Sequence, residues 1–295
     1  MNSTSLNPRR EIVAFLGIAY ALALAIAIGL PDAQINLLLS VAVPTVAVGT
    51  LTFTMIPKGG RRELWRGIGL GRAGLRAWPA AIALPFVLVA GAYGTALVIG
   101  AGQLTDIRLA DATAERAINL LINALIGTAI IVGEEIGWRG FLLPRFQQLT
   151  SKRKAAVVTG FFHGCFHLPL ILIATTYDTG GSRWVAAPMA VAVITAGGVF
   201  YAWVWERSAT VWPVAIAHNV VNTVFELGAV AVVASAGWNM AYVAGETGFA
   251  TLAVCVLAAG ALLLRAQVWR TTAAKGEPTA TARGLVPAAG RSLAP

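Results

Sequence analysis

Apolar runs long enough to cross a lipid bilayer recur along this chain, beginning with Ile12 to Leu30. A membrane-spanning helix needs about 20 mostly apolar residues, and eight segments qualify: 12–30, 35–56, 78–101, 117–135, 155–177, 184–205, 209–235 and 247–264. Composition agrees, with 57% hydrophobic and only 12% charged residues, where a soluble domain carries about 25% charged. The expected fold is an all-α polytopic membrane helix bundle of about eight transmembrane helices. Residues 1–11 form a short basic N-terminus, 12–270 the bundle, and 271–295 a tail rich in Ala, Thr, Gly and Pro, expected to be disordered. The first run is long enough to span and lacks a clear A-x-A cleavage site, so it reads as a retained helix rather than a signal peptide. The seventh segment holds His218, Asn219, Asn222 and Glu226, so it reads either as two half-spans or as a span buried within the bundle.

The net charge of +9 does not indicate a nucleic-acid partner, because the basic residues fall in loops between apolar runs. With the N-terminus in the cytoplasm, all of the 22 Lys and Arg residues except Arg108, Arg116 and Arg183 lie on the inner side. That asymmetry predicts both termini cytoplasmic, in a multi-pass protein of the cell (plasma) membrane. It also sets Glu134, Glu135 and Arg139 toward the cytoplasmic end of the fourth span and His218 in the cytoplasmic half of the seventh. The basic segment 57–77 reads as an interfacial loop, with a short helix around Leu64 to Ile68, drawn to anionic headgroups. Cys165 and Cys255 lie in apolar runs without a CxxC pattern, so no disulfide is expected.

Within the fourth run, Gly133-Glu134-Glu135-Ile136-Gly137-Trp138-Arg139 brings three ionisable groups into apolar sequence. Each costs about 2.5–3.5 kcal/mol at the centre of a bilayer on insertion scales, so such groups pair, reach water or do chemistry. All three histidines, His163, His167 and His218, also lie in apolar segments. Residues four apart share a helix face, which aligns His163 with His167, His218 with Asn222 and, less exactly, Glu226, and Glu135 with Arg139. Asn123 and Glu134 share a face if that helix is continuous. Polar stripes on three helices must point into the bundle, and the simplest packing joins them in one site.

Glu134 is then a general base able to take a proton from a water attacking a peptide carbonyl. His218 and Asn222 can donate to the developing oxyanion, His167 can orient the water or protonate the leaving amine, and Arg139 can hold the Glu pair ionised. The competing account is zinc, with His163 and His167 on one helix face and Glu134 or His218 completing the shell. No His-Glu-x-x-His is present, and Asn222 suits an oxyanion better than a metal, so no cofactor is the preferred expectation and zinc the alternative. Proton relay in a transporter is a third reading, disfavoured because the chain shows no inverted symmetry.

Glu134-Glu135-x-x-x-Arg139, His167-Leu168-Pro169 and His218-x-x-x-Asn222 together resemble the CPBP family of intramembrane endopeptidases, relatives of the type II CAAX prenyl proteases, over about residues 115–235. The resemblance implies an eight-helix bundle with a catalytic cavity opening toward the cytoplasmic leaflet. It implies Glu134 as the water-activating base, His167 as the second catalytic residue and His218 with Asn222 as the oxyanion pair. Glu135 and Arg139 match supporting positions. The family has been described both as metalloproteases and as glutamate-dependent proteases. One departure is His163, where the family's second motif usually carries an aromatic residue; Phe161 and Phe162 stand just ahead. The expected partners are membrane lipid and a membrane-associated peptide or protein substrate. A family member acting by binding alone, as an immunity or scaffold protein, is the non-enzymatic alternative.

Overall fold

The computed structural model describes residues 7–30, 33–106, 114–174 and 181–270. The expected tail from Thr271 lies outside them. Helix α1 (Pro8–Gly29) starts before Ile12, because the Asn7 side chain accepts a bond from the Arg9 amide at 3.0 Å and proline occupies the first helical position. Helices α2 (Ala33–Thr54), α3 (Lys58–Ile68) and α4 (Trp78–Val98) follow. A three-residue strand β1 (Gly102–Leu104) leads to α5 (Ala114–Ile122).

The fourth span departs most from expectation. After α5 come a π-helical turn (Asn123–Gly127), α6 (Thr128–Glu135), a longer π-helix (Ile136–Leu142) and α7 (Leu143–Leu149). The result is one apolar helical stretch from Ile118 to Leu149. It does not end at Glu135, so Glu134 and Glu135 sit near its middle rather than at its end. Helix α8 (Lys152–Phe166) closes at His167, and the chain resumes as a π-turn (Leu170–Ala174), a break fitting Pro169, which lacks an amide donor. The remaining elements are α9 (Arg183–Ser208), α10 (Val211–Ala231), β2 (Val232–Ala234), α11 (Met240–Val243) and α12 (Phe249–Arg265). The seventh span is thus one unbroken helix, α10.

Among the described residues, seven helical stretches are long and apolar enough to cross a membrane. The eighth apolar helix, α12, has 17 residues, at the lower limit of about 17 for a span. The protein is a multi-pass membrane helix bundle, and β1 pairs with β2 in a two-stranded ladder at one end.

That end also holds the start of α9, where the Ser182 amide donates to the Tyr242 hydroxyl at 2.6 Å. The opposite end gathers the basic loops. Arg145 pairs with Glu11 and Lys152 with Glu206, each at 2.6 Å. Arg72 donates to the carbonyl of Ala209, and Trp212 to that of Leu70. Helix α3 is longer than the expected 64–68 and ends on Gly69, whose φ of +79° is left-handed and whose missing Cβ would lie 2.5 Å from the Ala209 carbonyl oxygen.

Small residues let the site-bearing helices approach. Without hydrophobic drive between helices in lipid, close backbone contact supplies the packing. On α8, Gly160 and Gly164 lie four apart, and a Cβ on them would meet Thr195 O at 2.7 Å and Val191 Cα at 2.9 Å on α9. In the longer π-helix, a Cβ on Gly137 would stand 2.3 Å from Pro44 Cβ and 3.0 Å from Phe15 Cζ. Gly137→Ala is therefore expected to lower stability by about 1–3 kcal/mol or more through overpacking. Thermal unfolding in detergent checks this, and an unchanged midpoint would contradict it.

Candidate active site

The site is built on α6, the π-helix that follows it, α8 and α10. A π-turn widens the helix and is frequent at functional sites. Here it begins one residue after Glu135 and contains Arg139. Arg139 Nη1 donates to both Glu135 oxygens at 3.0 and 3.1 Å, and both side chains are wholly buried. The same nitrogen lies 3.2 Å from His163 Nδ1. The guanidinium carbon stands 4.8 Å from the Tyr201 ring centre, a cation–π contact. The expected Glu135–Arg139 pair is present, and Glu135 also accepts from His218 Nδ1 at 2.9 Å.

Glu134, next in sequence, makes no short bond to these groups. Its Oε2 lies 3.8 Å from His163 Nε2 and 3.7 Å from His218 Nδ1. His167 is held by its own helix end, with Nδ1 at 3.0 Å from the His163 carbonyl oxygen. A carbonyl only accepts, so Nδ1 carries the proton and the lone pair of neutral His167 is on Nε2. One ligating atom each from Glu134, His163 and His167 falls within 4.8 Å of the others. The polar stripes read from the sequence therefore converge, and His163 converges with them.

A cavity of about 110 Å³ has His163, His167 and His218 in its wall, with Asn222 and Tyr201 beside them. Among the described residues the Asn222 amide has no hydrogen-bond partner, which leaves it available to a ligand. The lining continues through Thr251 to Thr247 and Glu246, at the start of α12. It thus runs from the histidines away from the basic loops, whereas the family resemblance implies an opening on the side those loops occupy. Glu246 is open to the surface on one side and packed in protein on the others. That burial, then the nearby Glu226 carboxylate, raises its pKa.

Two expectations are corrected. Asn123 does not join the site. The π-turn at 123–127 rotates it toward α10, where its Nδ2 donates to Thr223 at 3.0 Å and its carbonyl accepts from Asn219 Nδ2 at 3.0 Å. Glu226 is exposed and lies outside the site, because the helical stripe His218–Asn222 turns away by the next step. Two aromatic residues escaped the sequence reading. Tyr201 stacks on His218 at 5.1 Å between ring centres, and Trp138 on His163 at 4.8 Å. In apolar helices rich in aromatics, neither carries a signal separating it from ordinary packing. Both cysteines are free.

A membrane bundle that buries a carboxylate among three imidazoles at the wall of a cavity has the equipment of an intramembrane hydrolase. Residues 114–224 match the family model for the type II CAAX prenyl endopeptidase Rce1-like family, and the likeness of that segment supports a membrane protease, a hydrolase of peptide bonds. No curated protein matches the chain.

Proposed function

We propose that the protein is an intramembrane endopeptidase that cuts a membrane-associated peptide or protein using a water activated by Glu134, without a metal. The carboxylate takes one proton as the water oxygen bonds to the carbonyl carbon. The oxyanion that forms is met by the Asn222 amide and by His218. Because His218 Nδ1–H is committed to Glu135, its Nε2 donates when the ring is an imidazolium, a form suited to the two flanking carboxylates. The proton then passes to the departing nitrogen, directly or through His167, as the C–N bond breaks. The observation that carries this reading is the convergence of Glu134, His163 and His167, one ligating atom of each within 4.8 Å of the others, beside a cavity lined by His167, His218 and Asn222.

Zinc is the second reading, favoured by the Glu134, His163 and His167 grouping. The donor set fits it poorly. Arginine can only donate, so Arg139 against Nδ1 of His163 makes that nitrogen the acceptor and puts the proton of the neutral ring on Nε2, the atom nearest Glu134. A zinc ligand at Nε2 needs that lone pair. The expected result is that metal-free protein, verified by elemental analysis, retains peptidase activity in a strong chelator. Stoichiometric zinc, lost together with activity, would overturn it.

The substrate approaches from the bilayer or its surface, and the basic end of the bundle faces the cytoplasmic side of the plasma membrane, where anionic headgroups attract its Lys and Arg residues. A purely binding role would leave function intact in Glu134→Ala, and a transporter would cut no peptide in detergent.

A further inference from the structure

We infer that His163 is itself a catalytic residue of this site: its Nε2–H holds the attacking water in place against Glu134. The inference rests on the metal-free reading above and extends it to a residue that reading does not use.

Three observations carry it. The buried Nε2 of His163 has no hydrogen-bond partner. A buried donor left unmade is costly, and a specific case in a folded protein calls for an occupant. The tautomer is fixed from the other side of the ring, because Arg139 has two Nη1 protons, one for Glu135 and one for His163 Nδ1. The ring cannot turn to escape, since Trp138 stacks on it at 4.8 Å with 28° between planes.

The spacing fits a water. An oxygen about 2.8 Å from each of two atoms permits a separation between them of up to about 5 Å, and the ligating atoms of Glu134 and His163 lie within 4.8 Å of each other. Four-coordinate zinc, with ligands about 2.0–2.1 Å away, draws them to about 3.4 Å apart, and His163 Nε2 to Glu134 Oε2 is 3.8 Å. The bonding is also complementary. Glu134 accepts one proton of the water, and His163 Nε2–H donates to one oxygen lone pair. One lone pair remains, free to attack. With Glu134 alone, the water keeps a rotational freedom that the bond from His163 restricts.

The test uses the full-length protein, a fluorogenic peptide cleaved by wild type, and the variants His163→Phe and His163→Gln. Phenylalanine keeps the ring stack and deletes both nitrogens. Glutamine can accept from Arg139 through its oxygen and donate to the water through its nitrogen. His163→Phe is expected to lower kcat about 10²-fold, the scale of losing one positioned hydrogen-bond donor, with KM within about twofold and a retained unfolding transition. His163→Gln is expected to recover a substantial part of that loss. Wild-type kcat in His163→Phe, or equal losses in both variants, would overturn the role. If wild type and Glu134→Ala are equally inactive toward every peptide, the endopeptidase reading fails, an outcome distinct from failure of the His163 role alone.

Discussion

Glu134→Ala is expected to reduce peptide hydrolysis by about 10²–10⁴-fold, the range for losing a positioned general base, while leaving the fold intact. The second half of that expectation comes from the geometry. Glu134 approaches His163 and His218 no closer than 3.7 Å, so its removal strands no tight partner. The Glu135–Arg139 pair, which neutralises the buried guanidinium, is untouched. Single-turnover cleavage and thermal unfolding of the same preparation separate the two effects. Persistent cleavage in the variant would remove Glu134 from the mechanism.

The adjacent carboxylate should behave in the opposite way. Glu135 is the counter-charge of Arg139 and the acceptor for His218. Both members of the Glu135–Arg139 pair are shielded from water, and breaking such a pair from one side leaves an uncompensated charge, costing about 3–5 kcal/mol. Glu135→Ala is accordingly expected to unfold at markedly lower temperature or denaturant, or to fail to accumulate in the membrane. Glu134→Ala and Glu135→Ala thus distinguish chemistry from scaffolding within two neighbouring residues. Equal stability of the two variants would show that the Glu135–Arg139 pair does not support the bundle as argued.

Much of this arrangement was legible in the sequence. Long apolar runs located the spans to within a few residues at most ends, because the bilayer fixes helix length. Polar residues inside those runs announced the site, because lipid forces such groups inward. The four-residue spacing paired Glu135 with Arg139 and aligned His163 with His167. What stayed hidden depends on backbone hydrogen bonds slipping by one residue. The π-turns at 123–127 and 136–142 change which face each residue occupies, so counting by 3.6 misplaced Asn123 and ended the fourth span early. Tyr201 and Trp138 were hidden for a different reason: ring stacking on a histidine is a matter of tertiary approach between elements distant in sequence and leaves no periodicity of its own.

The makeup of the cavity wall bears on which end of a substrate the enzyme tolerates. Among the described residues its lining carries one carboxylate, Glu246, and neither lysine nor arginine. An enzyme that trims residues singly from a C-terminus anchors the terminal carboxylate with a cation, and this wall offers neither lysine nor arginine to do so. A peptide threaded through so that its end lies beyond the cavity avoids that mismatch.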